Sequence, residues 1–375
     1  MMKILLPFVS MILIALQINA QVVETVISDP ELRDGLHIDL LGNIYTTSGG
    51  FAGFEVGQYD IQTETFNPNF ATGFFGPVDV DQYQDSLLIV TNYDNNTVSS
   101  FNLNTNEHNI IATGLDGPSG LVIDAQENIY VASWGNAPNY AGHQVHKISP
   151  SGQVSLYVDS PVLYRPQAMT TDLDGKLIIH SNEKLYRVND IDSTLQLWID
   201  VGAVIGHMAF RQKDSCIYAT ANYKILKINP SGEISTFAGT TVGYQDGQIG
   251  SAKFKSLLGI DFSPTEDSLY VCDSGYSESP GRLRRIVMNP LVETVELENN
   301  EINIFPNPVQ HEMSIIQPVE IEATIEIYDI LGNLLLSELR HARKITINTS
   351  KLLSGAYFIK VNYPEESILK KFIKQ

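Results

Sequence analysis

Three stretches of the chain share one pattern: GLHIDLLGNIYTTS at residues 35–48, GLVIDAQENIYVAS at 120–133 and AMTTDLDGKLIIHS at 168–181. Apolar, acidic, turn and again apolar positions stand at the same offsets in each stretch. Weaker copies begin at Val78, Met208 and Ile260. Intervals of 40 to 52 residues separate one equivalent position in the six copies, which is Tyr45, Leu88, Tyr130, Ile178, Tyr218 and Tyr270. Such a period indicates a repeat architecture.

Each copy continues into two further strand-like segments. HQVHKISP at 143–150 is followed by QVSLYVD at 153–159, and the turn between them carries proline and glycine, which a type I turn accepts. Four short antiparallel strands repeated with this period are typical of β-propeller blades. The sequence therefore predicts an all-β fold with a six-bladed β-propeller over residues 21–290.

The last repeat lacks a fourth strand. It ends after its third strand near Met288, whereas VVETVIS at 22–28 precedes the first repeat and has no blade of its own. We expect residues 22–28 to supply the missing strand, because this would close the ring and leave no open sheet edge.

The connection between the fifth and sixth repeats has a distinctive order: FAGT at 237–240, GYQDG at 243–247 and AKF at 252–254, then LYVCDSG at 269–275 and RLRRI at 282–286. This order resembles the repeat of NHL-type six-bladed propellers. The resemblance implies that Asp246 and the glycines shape the connection and that Phe254 fills the space between blades. A phosphate-binding loop is not expected, because Gly250 is followed by Ser251 and Ala252.

The N-terminal sequence predicts export. Residues 1–20, MMKILLPFVSMILIALQINA, combine Lys3, an apolar run and a terminal Ala20, as in a cleaved signal peptide. No later apolar run reaches the roughly 18 residues of a membrane-spanning helix, so no transmembrane segment is expected in the mature protein. The formal net charge of −19 disfavours nucleic acid as a partner.

A second domain is predicted over residues 302–375, after an acidic linker at 291–301. Apolar residues alternate along its strands, which indicates a small Ig-like β-sandwich. FPNP at 305–308, DILG at 329–332, GAYF at 355–358 and a lysine-rich last strand resemble the type A C-terminal sorting domain of the type IX secretion system. The resemblance implies a Bacteroidetes host, passage through the periplasm, and a secreted or cell-surface protein. An unrelated sandwich domain is the alternative.

Functional residues are expected on the propeller face where first strands begin and where second strands connect to third strands. Asp34 and His207 precede first strands and are the candidate catalytic residues. A distant resemblance to gluconolactonase and regucalcin propellers implies the alternative function, a secreted lactone or ester hydrolase or a lyase that uses a divalent cation such as Ca²⁺. Gly76, Gly206 and Leu258 offer no side-chain oxygen at the equivalent positions, so the sequence favours a protein without a cofactor.

The favoured function is a binding module for an extracellular glycan, peptide or protein. The link from Trp134 to Gly142, WGNAPNYAG, is long for this repeat and rich in aromatic and amide side chains, which suit ligand recognition. The predicted ligand-binding residues are Asn92, Asp94, Trp134, Tyr140, Gln167, Asn182, Asn222, Asp273 and Tyr276.

The two cysteines are predicted to be unpaired and buried. In the repeat alignment Cys216 and Cys272 differ by three strand positions, or about 10 Å, which exceeds the reach of a disulfide.

Overall fold

A computed structural model describes residues 21–29, 32–49, 53–84, 86–274, 280–288, 302–316, 322–330, 332–342, 344–363 and 367–375. The chain divides into two compact units, residues 1–290 and 291–375. Every helix or strand assigned in the described residues is a β-strand, which confirms the all-β class. These residues include no helix with the length and apolar character needed to cross a membrane.

The first unit begins with β1 (Val22–Asp29) and continues through five four-stranded antiparallel sheets, whose strands pair in chain order. Sheet 1 contains β2 (Leu36–Ile38), β3 (Ile44–Thr47), β4 (Glu55–Asp60) and β5 (Thr65–Thr72). Sheet 2 contains β6 (Pro77–Tyr83), β7 (Leu87–Asn92), β8 (Thr97–Asn102) and β9 (His108–Thr113). Sheet 3 contains β10 (Pro118–Ile123), β11 (Ile129–Ser133), β12 (Gln144–Ile148) and β13 (Val154–Asp159).

Sheet 4 contains β14 (Met169–Thr171), β15 (Leu177–Ser181), β16 (Lys184–Val188) and β17 (Leu195–Asp200). Sheet 5 contains β18 (Met208–Arg211), β19 (Cys216–Ala221), β20 (Lys224–Ile228) and β21 (Ile234–Ala238). Sheet 6 contains β23 (Leu257–Phe262), β24 (Ser268–Asp273) and β25 (Gly281–Val287), with β1 beside β25 and the short β22 (Gly247–Gln248) outside β1.

The first strands of the six sheets surround one channel. β2, β6, β10, β14, β18 and β23 contact one another in that order, and β23 returns to β2. A cavity of about 310 Å³, here called the channel cavity, is lined by residues from all six strands. Sheets arranged radially around a channel are typical of a β-propeller.

Burial falls from the inner to the outer strands of each sheet. In sheet 3, all five residues of β11 are buried, whereas four of the six residues of β13 are exposed. The second strands are therefore rich in apolar residues, because neighbouring sheets cover both of their faces. Apolar clusters join each sheet to the next, and Tyr218 of sheet 5 and Leu269 of sheet 6 share one such cluster.

Glycine at the start of the repeat lets neighbouring first strands approach closely. A Cβ atom on Gly120 would lie 1.6 Å from the Gln167 carbonyl oxygen, and one on Gly259 would lie 2.4 Å from the Asp34 carbonyl oxygen. No other residue fits this spacing without moving the backbone.

Threonine hydroxyls connect three sheets to their neighbours. Thr47, Thr91 and Thr220, on the second strands of sheets 1, 2 and 5, each accept a hydrogen bond from a backbone N–H of their own sheet. Each also donates to a backbone carbonyl at the first strand of the next sheet, over 2.8, 2.6 and 2.7 Å respectively. These bonds fix the start of one sheet relative to the end of another.

β1 is the fourth strand of sheet 6, and the GYQDG connection holds it there. Asp246 accepts hydrogen bonds of 3.0 Å from both the N–H and the hydroxyl of Thr25. Arg284, which is fully buried, donates to Asp246 over 2.6 Å and to Asp273 over 3.0 Å. Its guanidinium lies 4.9 Å from the ring centroid of buried Phe254. These residues therefore act in the architecture of the closing sheet.

The second unit consists of two antiparallel sheets that share one apolar core. The three-stranded sheet contains β26 (Asn303–Phe305), β27 (Glu312–Ile316) and β30 (Lys344–Asn348). The four-stranded sheet contains β28 (Glu322–Tyr328), β29 (Leu334–His341), β31 (Gly355–Asn362) and β32 (Ser367–Lys374). Burial alternates with the strand period, as at Ile325 and Ile327, so every second side chain enters the core.

The cysteine prediction is confirmed. Cys216 in β19 and Cys272 in β24 are both buried and unpaired. Burial raises the pKa of both thiols, which keeps them in the protonated form.

The first prediction concerns the glycine contacts. Gly120→Ala should destabilise the first unit by about 2–4 kcal/mol, because its methyl group would collide with the Gln167 carbonyl. Gly250→Ala is the matched control, since a Cβ there meets no atom within 4 Å, and it should change stability by less than about 0.5 kcal/mol. Urea unfolding followed by fluorescence measures both. Equal midpoints for the two variants would contradict the packing argument.

The second prediction concerns β1. Deleting residues 21–29 removes buried Val23 and exposes the edge of β25, so the first unit should melt roughly 10 °C lower or more, as expected for a loss of about 3 kcal/mol. Deleting residues 302–375 should leave that transition nearly unchanged, because the second unit has a core of its own. Scanning calorimetry of both truncated proteins measures these transitions. A β1 deletion that melts at the temperature of the parent protein refutes the prediction.

Candidate functional site

A pocket of about 660 Å³ lies where the first strands begin, and is here called the channel-mouth pocket. Four residues at the starts of first strands line it: Asp34, Ser119, Gln167 and Leu258. Trp134 and Tyr140 from the long link of sheet 3 also line it, together with Arg33, Ser48, Gly49, Val78, Tyr93, Arg165 and Ser274. The structure thus brings together residues of five sheets that are distant in sequence.

Backbone hydrogen bonds shape the link between β11 and β12. The Trp134 N–H donates to the Gly117 carbonyl over 2.8 Å, and the Gly142 N–H donates to the Trp134 carbonyl over 3.0 Å, so the link returns to its origin. Tyr140 has φ of 47° at the tip. A Cβ on Gly142 would lie 2.0 Å from the Ser133 carbonyl oxygen, so this tight return requires glycine.

Arg165 fixes the aromatic side of the pocket. Its Nε donates to the Tyr140 carbonyl, and its backbone N–H donates to the Gly142 carbonyl over 2.9 Å. Its guanidinium carbon lies 5.7 Å from the Trp134 ring centroid and 4.9 Å from that of Tyr164. These distances are within the range of cation–π attraction. Arg165 was not among the predicted site residues, although it stands two residues before the predicted Gln167.

His207 lies between two carboxylates. Its Nε2 is 3.2 Å from Asp34 Oδ1, and its Nδ1 is 3.5 Å from Asp79 Oδ1. His207 lines the channel cavity, whereas Asp34 lines the channel-mouth pocket. The two candidate catalytic residues are therefore in contact, and Asp34 is the one that faces a pocket ligand.

Burial and charge act in opposite directions on this group. Burial lowers the pKa of His207, whereas the carboxylates of Asp79 and Asp34 raise it. The effect of the two carboxylates is the larger, so the pKa of His207 is raised overall. Burial raises the pKa of Asp79 to about 6, although the charge of His207 and the Leu121 N–H oppose this shift. The histidine is thus favoured in its charged form.

A second histidine in the channel cavity has a similar environment. His37 Nδ1 lies 3.2 Å from Asp81 Oδ1 and 3.5 Å from Asp261 Oδ2. Burial lowers its pKa, but the hydrogen bond and charge of Asp81 and the charge of Asp261 raise it to about 9. Burial raises the pKa of Asp261 to about 6. His37, Asp81 and Asp261 were not among the predicted site residues. The available signal was the presence of charged residues inside otherwise apolar first strands.

Five other predicted ligand-binding residues, all within the described part of the chain, do not line the channel-mouth pocket. Asn92 is 1% exposed, and its amide nitrogen donates to Ser99 Oγ over 2.8 Å. Asp273 is fully buried, and it accepts hydrogen bonds from the Lys255 and Ser256 N–H groups besides its contact with Arg284. Both side chains end a second strand, and they serve internal contacts there.

Three more predicted residues lie in exposed links. Asn182 and Asn222 occupy tight turns with φ of 49° and 58°, a conformation that asparagine accepts more readily than most residues. Asp94 is exposed beside Gly76, where a Cβ would lie 2.7 Å from its carboxyl carbon. Tyr276 lies outside the described residues.

The residues at this site do not fit a hard cation. Among the described residues that line the channel-mouth pocket, Asp34 alone carries a carboxylate, and its Oδ1 faces His207. Within the described part of the chain, no group of three or more His, Cys, Asp or Glu side chains could hold a metal ion. Ca²⁺ takes six to eight oxygen ligands, and this site does not supply them.

The C-terminal residues 303–375 match a known family, the secretion system C-terminal sorting domain. The chain therefore carries the type IX sorting domain, which directs export to the cell surface or outside the cell. No curated protein matches the chain in sequence.

Solved structures share the fold of the first unit. An auxiliary nutrient binding protein from Bacteroides thetaiotaomicron VPI-5482 is 17% identical, with a TM-score of 0.55 over 71% of this chain and 76% of that one. A gluconolactonase from Xanthomonas campestris is 9% identical, with a TM-score of 0.56 over 71% and 89%. A streptogramin B lyase is 14% identical, with a TM-score of 0.53 over 72% and 99%. These propellers show the fold, and at such identities they show the fold alone.

The third prediction concerns the pH dependence of stability. The pKa of His37 is raised to about 9 in the folded state, so its stabilising contribution is complete below about pH 6.5 and is lost as the pH rises through 9. The contribution is on the order of 3 kcal/mol. The difference in unfolding free energy between the parent and His37→Gln should therefore shrink from pH 6 to pH 9.5. Urea unfolding across this range measures it, and parallel curves would contradict the assignment.

Proposed function

We propose that the protein is an extracellular binding module that captures a carbohydrate, peptide or protein ligand in the channel-mouth pocket. The observation that carries this proposal is the pocket itself: about 660 Å³, with Trp134 and Tyr140 on one side and Gln167 nearby. Aromatic faces beside a few polar groups are typical of ligand sites of this volume. The position is also the usual one, because several strand starts and links converge there.

The surroundings of His207 favour binding over catalysis. His207 is 6% exposed, and its two ring nitrogens face Asp34 and Asp79. A general base must reach a proton of the substrate, directly or through one water molecule. With both nitrogens directed at carboxylates, His207 orients Asp34 and does not itself point at a ligand.

A hydrolase or lyase is the second candidate. It is supported by Asp34, a carboxylate on the pocket wall with a histidine 3.2 Å behind it, and by the gluconolactonase and lyase among the structures of similar fold. In such an enzyme Asp34 would act as the base and His207 would position it. Asp34→Asn would then abolish turnover of a lactone or ester while leaving ligand affinity largely intact.

The proposal includes the architecture that presents the pocket. The six sheets would form six blades of an NHL-like propeller, with β1 closing the ring over residues 21–290, and the second unit would be an Ig-like sandwich joined by residues 291–301. The predicted signal peptide, residues 1–20, lies outside the described residues. Together with the sorting domain it would take the protein through the periplasm of a Bacteroidetes cell.

The fourth prediction uses the two tryptophans of the chain, Trp134 and Trp198. In the Trp198→Phe protein, Trp134 is the sole tryptophan, so its fluorescence should change when a ligand found on a glycan and peptide array is added. Trp134→Ala should weaken that ligand by about 1–3 kcal/mol, or roughly 5- to 150-fold, as for a lost aromatic anchor.

Trp198→Phe is also the matched control for affinity. Trp198 lies outside the pocket and packs against Arg187, whose guanidinium carbon is 4.1 Å from its ring centroid, so its replacement should leave ligand affinity unchanged. A ligand that binds both tryptophan variants as tightly as it binds the parent protein would place recognition away from the channel mouth.

A further inference from the structure

Two cavities occupy successive levels of the channel. Among the described residues, none lines both the channel-mouth pocket of about 660 Å³ and the channel cavity of about 310 Å³. In five sheets, a residue of the pocket stands two positions before a residue of the cavity, which is about 7 Å of extended chain. These pairs are Asp34 and Leu36, Val78 and Val80, Ser119 and Leu121, Gln167 and Met169, and Leu258 and Ile260.

His207, at the start of sheet 5, reaches across the channel between these two levels. Its Nε2 is 3.2 Å from Asp34 Oδ1 of sheet 1, and its Nδ1 is 3.5 Å from Asp79 Oδ1 of sheet 2. Sheets 5 and 2 stand three places apart in the ring in either direction, so His207 and Asp79 meet from opposite sides of the channel. A separation of 3.5 Å leaves no room for a water molecule between the two side chains. The bridge therefore closes the inner end of the channel-mouth pocket.

The two carboxylates of the bridge are held in different ways. Asp79 is 7% exposed, and it accepts hydrogen bonds from the backbone N–H groups of Val80 over 3.0 Å and of Leu121 over 2.9 Å. The Asp34 carboxylate, in contrast, has His207 as its hydrogen-bond donor within the described part of the chain. Asp79 is thus fixed by the backbone of sheets 2 and 3, whereas Asp34 depends on His207 for its position.

The bridge requires the charged form of His207. A charged imidazole donates from both ring nitrogens, whereas a neutral imidazole donates from one and presents a lone pair at the other. That lone pair would face a carboxylate oxygen, which is repulsive, so the neutral side chain keeps one of its two contacts. The groups that face His207 from the strands around it are Asp34, Asp79 with Asp81 beside it, and the Thr220 hydroxyl, which accepts from the His207 backbone N–H over 2.9 Å.

We propose that His207 is a proton-operated gate in the channel: its charged form separates the channel-mouth pocket from the channel cavity, and loss of the proton joins the two. The contact with Asp34 is the one that opens. Asp34 borders the channel-mouth pocket, where water replaces the lost donor, whereas Asp79 is buried in the channel wall. The inference goes beyond the proposed binding function, because it concerns access along the channel whatever the pocket binds.

The direction of the pH response follows from these contacts. Burial lowers the pKa of His207, but the two carboxylates raise it by more, so the gate is closed at neutral pH and opens as the pH rises through this raised pKa. The pKa of Asp79 is about 6, so this carboxylate takes up a proton in acid. A protonated carboxyl group keeps an oxygen that accepts from His207, and the gate stays closed on the acid side.

NMR of the full chain tests the gate. Selective 15N labelling of histidine gives the pH at which His207 loses its proton, and its signals are assigned from their absence in His207→Gln. Methyl labelling of methionine reports access, because Met169 and Met208 line the channel cavity, whereas Met288 and Met313 are buried in apolar clusters elsewhere. With a small neutral nitroxide in solution, relaxation enhancement of the Met169 and Met208 methyls should rise severalfold in the step in which His207 titrates. The Met288 and Met313 methyls should show no such step.

Two variants sharpen the assignment. Asp34→Asn removes one of the two charges that stabilise charged His207, so the step should move to lower pH by about 1–3 units. His143→Gln is the matched control, because His143 also faces a carboxylate, that of Asp159 at 3.3 Å, but is half-exposed and lies outside both cavities, so the step should not move. Should His207→Gln fail to fold, the shifted titration in Asp34→Asn identifies the His207 signals.

Titration of His207 without a change at Met169 and Met208 overturns the gate, as does access to both methyls that is already complete at lower pH. A His207 that keeps its proton up to the alkaline limit of the folded protein also overturns it, since the proton would then operate nothing. These measurements use no ligand, so their failure leaves the proposed binding function to its own test.

Discussion

The pairing of β1 with β25 is the constraint on which the first unit depends. The two strands run antiparallel from Val23 opposite Ile286 to Asp29 opposite Gly281, and they join the two ends of the unit. Asp246, in the connection between β21 and β23, reinforces this pairing because it accepts hydrogen bonds from Thr25 of β1 and from Arg284 of β25. Without β1, sheet 6 would lose the strand that joins the N-terminal end of the unit to its C-terminal end.

The contacts that pack neighbouring sheets together also set the geometry of the channel-mouth pocket. Thr91 donates to the carbonyl of Ser119, and Thr220 donates to the carbonyl of Leu258, so hydroxyls that join neighbouring sheets also fix two residues of the pocket wall. Gly120 allows the backbone at Gln167 to approach. The pocket is thus preorganised by the same bonds that hold the sheets together, and ligand binding needs little rearrangement of the backbone.

The sequence predicted the repeat and the class of fold well, because strand alternation and turn residues are local signals. The sequence also predicted four residues that line the pocket, since their positions within the repeat follow from strand order: Asp34, Gln167, Trp134 and Tyr140. The contributions of Asp79 and Arg165 could not be predicted in this way. Both depend on which residues of different sheets meet across the channel, and a repeat pattern does not specify side-chain direction at a bulged strand such as β6.

Asn92 and Asp273 show a second limit of prediction from sequence. Each ends a second strand at the expected face, yet each is buried and saturated with internal hydrogen bonds. Polar residues at strand ends have two uses, to bind a ligand or to satisfy nearby backbone groups, and composition does not distinguish them. Only the three-dimensional neighbourhood of each side chain separates the two roles.

The closing strand also imposes an order on folding. Glu24 of β1 and its partner Arg285 of β25 are 261 residues apart, so β1 has no partner until nearly all of the first unit has been synthesised. Closing so long a loop costs entropy that is regained only when the last sheet forms, and contacts of this range slow folding. Until then the apolar side of β1 stays exposed to chaperones and to other chains. During that interval the sixth sheet, and with it the ring of first strands around the channel, stays incomplete.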